Sequence, residues 1–323
     1  MDAVRRDRLH LAQLEEAAAA IAERAGRLLM KRFHEAVTLE YKDDKQSDPV
    51  TETDRAVERL VVDELRLAFP AHGVLGEEGA SEASDAEYVW VLDPLDGTAN
   101  FAGRLPFFGL SLGLLRHGVP VVGCLFVPFG PHLEPGVLRG SCGNGASVGG
   151  ERLRLDGRPL QPGGPAALPP GFNWAFKLKG ELAKRPGELR NLGSICFELA
   201  MVAGGGFRYA AFVRPRVWDV AAGALLVREA GGLALTWEDR SWRPLERFVP
   251  PTPASRDAKP TTLRDWARPV LVGEASTVER IAPDFRLRPP PPRAIRWLLA
   301  GNRALRRWWR KRRQPPRHEG ANG

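Results

Sequence analysis

Four short segments of the chain place acids beside turn-forming residues. They are Asp48-Pro49-Val50-Thr51-Glu52-Thr53-Asp54, Gly76-Glu77-Glu78, Trp90-Val91-Leu92-Asp93-Pro94-Leu95-Asp96-Gly97-Thr98-Ala99-Asn100-Phe101, and Trp218-Asp219-Val220-Ala221-Ala222-Gly223. In the third, Asp93 and Asp96 flank a proline turn. Two carboxylates held that close repel unless positive charge lies between them. Hard divalent cations with oxygen ligands are the natural partners. Gly97 permits a backbone conformation closed to other residues, and its N–H, with that of Thr98, can face an anion at a helix start. Metal-binding acids beside anion-binding amides are the equipment of phosphoryl transfer. Each piece alone has a plainer reading. Asp-Pro-x-Asp is a common turn with solvated acids. Asp48 and Asp54 could cap the following helix, which is the preferred reading for Asp54. Glu77-Glu78 could be an exposed acidic loop, and Asp219 a first-turn helix acid. The set, taken together, favours chemistry.

The elements that must position these acids are legible in outline. Leu11, Leu14, Ala18, Ile21, Ala25 and Leu28 recur at helical spacing and predict a helix over 7–36. Val57, Leu60, Val61 and Leu65 predict a second over 54–68, ended by Pro70 and Gly73. Tyr88–Leu92 reads as a strand that stops at Asp93-Pro94. Residues 108–127 read as two strands turning at His117-Gly118, and 139–155 as a hairpin. Residues 156–172, crowded with Pro and Gly, read as a connection. Helices are expected at 194–204 and 218–230, and strands near 207–213, 233–237 and 269–273; residues 247–262 read as an exposed loop. Helices and antiparallel strands come first, then alternating α and β, which argues for layered α/β sandwiches. The division expected is an N-terminal α+β domain over 1–155, a C-terminal α/β domain over 156–285, and a tail over 286–323. No GxGxxG or GxxxxGK[ST] occurs, which weakens any dinucleotide or P-loop reading.

Composition narrows the class further. Hydrophobic residues make up 43% and charged residues 27%, ordinary for a globular enzyme. Cys124, Cys142 and Cys196 are widely separated and form no CxxC pair, so neither a zinc site nor a disulfide framework is suggested. The N-terminus is charged throughout with no apolar core of a leader, and no run approaches a spanning length, so a cytoplasmic address is expected. The net charge of +8 is unevenly spread. Residues 286–323 hold twelve Lys/Arg and one acid, a charge of +11, so residues 1–285 carry −3. Four prolines at 289–292 read as a stiff spacer. Residues 293–313, RAIRWLLAGNRALRRWWRKRR, combine Trp and Leu with dense Arg, the composition of an interfacial helix on an anionic membrane surface. A solvated tail is the plain alternative. Nucleic-acid binding rests on the tail alone and is discounted by the acidic body.

The four acidic segments resemble the signatures of the inositol monophosphatase family: DPVT-x-x-D, GEE, [WV]-x-[LIV]-DP-[LI]-DGT-x-NF and WD-x-A-[AG]-G. They occur in the family's order, over roughly residues 10–285. The resemblance implies a layered α-β-α-β-α sandwich and a Mg²⁺-dependent, commonly lithium-sensitive phosphomonoesterase with two or three ions. It implies that Glu77, Asp93 and the Leu95 carbonyl hold a first metal, and Asp93, Asp96 and Asp219 a second. Thr98 and Asp48 would position and help deprotonate the attacking water, and the Gly97 and Thr98 amides would hold the phosphate. A homodimer is implied as well. The six histidines, His10, His34, His72, His117, His132 and His318, fit no catalytic slot.

The substrate side departs from the family. An acid that commonly bonds inositol hydroxyls six positions before Trp218 is here Phe212, and another common acid is Arg208. Gly193-Ser194-Ile195 keeps the family's small-residue substrate wall. Phenylalanine cannot accept bonds from a polyol, whereas arginines favour further anionic groups; that Arg208, Arg214 and Arg216 are solvated surface charges is the plain alternative. The expectation is a small phosphorylated metabolite other than, or broader than, inositol phosphate, with inositol phosphates, histidinol phosphate, sugar bisphosphates and phosphonucleotides all left open. A catalytically silent binding protein recruited through the tail is the reading of a different class.

Overall fold

The structure, a computed structural model, describes residues 2–35, 40–41, 49–82, 86–130, 134–155, 163–169, 172–250 and 261–288. Asp48, the Pro run 289–292 and the basic segment 293–313 lie outside the described residues, as does most of the expected loop 247–262.

Helix α1 (Asp2–Phe33) begins five residues before its predicted start and buries the expected Leu11, Leu14, Ala18, Ile21 and Ala25. Each fully buried Leu or Ile contributes about 1.5–3 kcal/mol. Strands β1 (Glu40–Tyr41) and β2 (Pro49–Val50) pair antiparallel before α2 (Glu52–Ala68). Thr51 caps α2 through its side chain, and Asp54 returns a bond to the Thr51 N–H, so this acid is indeed a capping residue. Strands β3 (Gly73–Gly76) and β4 (Ser81–Glu82) enclose the Glu77-Glu78 loop.

The expected end of the next strand is displaced. Strand β5 runs from Tyr88 to Asp96, straight through Asp93-Pro94. Its pairing with β6 (Gly109–Arg116) passes from Asp93↔Ser111 to Asp96↔Gly109, so one extra residue is accommodated as a bulge. Pro94, with no N–H to give to the ladder, is tolerated there. A short α3 (Thr98–Ala102) follows. The turn to β7 (Val119–Val127) has positive φ at both His117 and Gly118, as a tight hairpin demands. Strands β8 (Gly136–Ser141), β9 (Gly145–Val148) and β10 (Glu151–Arg152) complete an eight-stranded sheet, ordered β10-β9-β8-β7-β6-β5-β3-β4 and antiparallel except for β3 and β5.

The second half contains elements that sequence periodicity did not reveal: β11 (Pro165–Ala167), α4 (Phe172–Ala175), β12 (Phe176–Leu178), α5 (Gly180–Lys184) and β13 (Glu188–Arg190). The expected α6 (Ile195–Ala203), β14 (Tyr209–Phe212), α7 (Val217–Glu229) and β15 (Gly232–Glu238) follow. Then come β16 (Ser241–Pro244), β17 (Val270–Glu274), α8 (Ala275–Ile281) and β18 (Phe285–Leu287). A six-stranded mixed sheet has the order β13-β11-β14-β17-β15-β16. Three buried clusters define the layers. One joins α1 and α2 to the outer face of the first sheet, the largest packs α6 and α7 between the sheets, and the third seals α8 onto the second sheet. This is a layered α-β-α-β-α sandwich. Helix α7 lies close on its sheet because β7 carries Gly123, where a Cβ would stand 2.7 Å from the Ala222 carbonyl oxygen. Among the described residues no helix is long and apolar enough to cross a membrane.

Candidate active site

The β5 bulge turns two carboxylates toward the edge where the layers meet. Asp93 is 2% exposed, and its Oδ1 accepts from the Leu95 N–H at 3.1 Å. Opposite it on β6, the Ser111 hydroxyl donates to the Trp218 carbonyl at 2.7 Å. That bond moors the first turn of α7 beside the bulge, and with it Asp219. The Asp219 carboxylate accepts from the Arg216 N–H at 2.7 Å, so it is both a first-turn acid and a site residue. Asp96 accepts from the Ser194 hydroxyl at 2.8 Å and from the Cys196 N–H, which ties the bulge to the start of α6. Asn100 fixes the preceding loop by donating to the Phe107 and Leu192 carbonyls.

Glu77, Asp93, Leu95, Asp96, Gly97, Thr98 and Asp219 all line one cavity of 630 Å³. Gly97 adopts φ 87°, and a Cβ there would lie 2.8 Å from the Phe107 carbonyl oxygen, so glycine is required twice over. Gly193, Ser194, Ile195 and Phe212 line an adjoining cavity of 360 Å³, which shares Asp96 and Gly193 with the first and adds Arg214. Arg208 does not join them. It lines a separate cavity with Arg185 and Arg280, because β14 carries Phe212 to the adjoining cavity and leaves Arg208 beyond its other end.

Several partners escaped sequence reasoning. Arg264 lines the main cavity, stacks over the Trp218 ring at 5.2 Å, and donates to the Gly76, Glu77 and Ala80 carbonyls. No local pattern marks it; only long-range folding brings it there. Glu58 accepts from the Glu78 and Ala80 N–H groups and so holds the Glu77 loop. Its signal was a charged residue on the buried face of α2. Asp54 also does more than cap: its Oδ1 accepts from the Thr98 hydroxyl at 3.0 Å, the same hydroxyl that lies 3.0 Å from the Leu95 carbonyl.

The electrostatics are those of crowded acids. Burial, then the neighbouring Glu77, Asp96 and Asp219, holds the Asp93 carboxyl well above its usual range. Burial likewise raises Asp219 well above its usual range, with Asp96 adding to it. Asp96 is pushed up to about 6, again mainly by burial. Among the described residues no group of three His, Cys, Asp or Glu side chains is drawn into a metal-holding cluster. The donor set nevertheless fits a hard divalent cation: all-oxygen, carboxylate-rich, and charged in a way that a cation would relieve. Cys196, beside Asp96, is unsuited to nucleophilic work. Burial and that carboxylate hold its thiol well above the usual range, and it donates to the Leu110 carbonyl.

The family model for the inositol monophosphatase family matches residues 10–264. The chain belongs to the inositol monophosphatase family. Among relatives in this family, the chain is 35% identical over 219 residues to the Nus factor SuhB of Escherichia coli K12, covering 66% of this chain and 80% of that protein. It is 36% identical over 219 residues to an inositol-1-monophosphatase of Mesorhizobium japonicum, covering 65% and 80%. Solved structures of the family agree in fold. The extragenic suppressor protein suhB of Bartonella henselae matches with a TM-score of 0.66 at 25% identity, over 84% of this chain and 98% of its own. The Thermotoga maritima IMPase matches at 0.64 and 25%, over 84% and 96%. Membership in the family points to phosphomonoester hydrolysis.

Proposed function

We propose that the chain is a Mg²⁺-dependent phosphatase acting on the phosphate monoester of a small metabolite. The observation that carries this is the convergence of Glu77, Asp93, Asp96 and Asp219 on one cavity that also exposes Gly97 and Thr98. Glu77, Asp93 and the Leu95 carbonyl would hold one ion, and Asp93, Asp96 and Asp219 a second, in a site of two or three. Bound there, such ions would supply a lowered pKa for water and offset negative charge on the leaving oxygen. The chain's own groups do the positioning. The Gly97 and Thr98 amides hold phosphate oxygens, and the Thr98 hydroxyl, steadied by Asp54, orients the attacking water. Asp48 takes part in removing its proton. Water attacks phosphorus directly, with no covalent phosphoenzyme.

The leaving group would lie toward Ile195, Phe212 and Arg214 in the adjoining cavity. An apolar face beside an arginine suits a substrate with a second anionic group better than a bare polyol. The three unpaired thiols accord with a cytoplasmic setting, and a homodimer is the proposed assembly. The segment 293–313 makes an anionic membrane surface a further proposed partner; truncation after Pro292 should then abolish cosedimentation with anionic liposomes.

A phosphate-release screen tests the reading, with inositol monophosphate and a bisphosphorylated nucleotide in the panel, with and without Mg²⁺. Release that requires Mg²⁺ and favours the bisphosphorylated compound is expected. Strong preference for inositol monophosphate would overturn the substrate assignment. No release from any compound would instead favour a binding role, the second reading that Nus factor relatives keep in view.

A further inference from the structure

On the side of the second sheet covered by α8, Arg185, Arg208 and Arg280 line a cavity of 260 Å³ with Leu182, Tyr209 and Asp284. It shares no lining residue with the carboxylate cavity. The three arginines arrive from separate segments: Arg185 follows α5, Arg208 precedes β14, and Arg280 sits in the last turn of α8. Bringing them together is unfavourable without an anion between them. Arg208 carries the clearest cost. Its Nε is buried and has no hydrogen-bond partner among the described residues, a donor stripped of water without return. Burial and the neighbouring Arg280 both lower its pKa.

Two polar groups beside Arg208 are engaged elsewhere. Glu274 faces Arg208, but its carboxylate accepts from the Ser276 and Thr277 N–H groups and from both hydroxyls, as the cap of α8. The Tyr209 hydroxyl donates to the Pro186 carbonyl. Asp284 is the one acid in the lining, against three arginines, so the lining keeps a charge of +2. We propose that this cavity is a second oxyanion site, taking inorganic phosphate or the phosphate group of a small molecule through the guanidinium groups of Arg185, Arg208 and Arg280. Planar guanidinium forks suit a phosphate oxygen pair. Occupancy would tie α5, α8 and the start of β14 together. Because β14 ends at Phe212 in the substrate-side cavity, the bound anion is placed to influence substrate fit.

Isothermal titration of inorganic phosphate into the full chain in excess EDTA tests this independently of catalysis. With divalent ions removed, the carboxylate cavity repels phosphate. Saturable binding of one phosphate per chain is expected. The double variant Arg208→Gln/Arg280→Gln should weaken it at least about tenfold, whereas Arg27→Gln, which removes one exposed charge from α1, should not. Circular dichroism melting establishes that the variants fold, and Arg280→Gln alone, at an exposed position, serves if the double variant does not. Absence of saturable binding, or equal affinity in the arginine variants, would overturn the proposal.

Discussion

Glu198 sits one helical turn into α6, 4% exposed, with Oε1 accepting from the Leu192 N–H at 2.7 Å. Burial pushes its carboxyl from an ordinary 4.5 up to about 7. Between those values the folded protein holds a proton that the unfolded chain has released. Stability from this group is therefore present below about pH 4.5 and lost as pH rises through about 7, by on the order of 3 kcal/mol at most. Glu198→Gln should reduce the fall in stability between pH 5 and pH 8, read from urea denaturation, leaving the part that Asp96 contributes; an unchanged fall would assign the shift elsewhere. At this scale the sequence was most informative where acids recur in a pattern, as at Asp93, Asp96 and Asp219. It was silent where a residue serves through distant contacts. Asp54 was readable as a cap, but not as the acceptor for Thr98, 44 positions away. Arg264 reaches carbonyls nearly two hundred positions away, so no local window contains it.

Long amphipathic helices and the 108–127 hairpin were legible because their periods repeat over several turns or pairs. The β5 bulge was not, since Asp-Pro reads as a turn until an antiparallel neighbour supplies the pairing. The short β11, β12, β13 and β18 carry only three residues each, too few for a period to register. Element packing yields a prediction of its own. Gly123→Ala would press a Cβ against the α7 backbone at Ala222 and shift the helix that carries Asp219. A loss of about 1–3 kcal/mol is expected, with weaker Mg²⁺ binding. Gly136→Ala, whose Cβ would meet only Val148 at 3.9 Å, should be nearly neutral in the same urea titration.

Across the whole molecule, the five-layer sandwich brings the β5 bulge, the Glu77 loop and the α7 start to one edge, and none of these segments builds a site alone. The order of elements was enough to anticipate layers, because helices before antiparallel strands and then alternating α and β leave few compact arrangements. The charge division between a −3 body and a +11 tail was equally plain from the sequence, whereas the separation of Arg208 from the cavity that Phe212 lines required the path of β14. The crowding of Asp93, Asp96 and Asp219 should also make the whole fold sensitive to Mg²⁺. In EDTA, melting temperature should fall as pH rises from 4 through about 6, because the raised carboxyls lose protons they hold only when folded. Added Mg²⁺ should reverse that fall. Titrating Mg²⁺ into a phosphate-release assay with wild type and Asp219→Asn decides whether these carboxylates hold a catalytic metal. Saturable, Mg²⁺-dependent release that drops at least about a hundredfold in the variant is predicted. Release independent of Mg²⁺, or unaltered by Asp219→Asn, would contradict it.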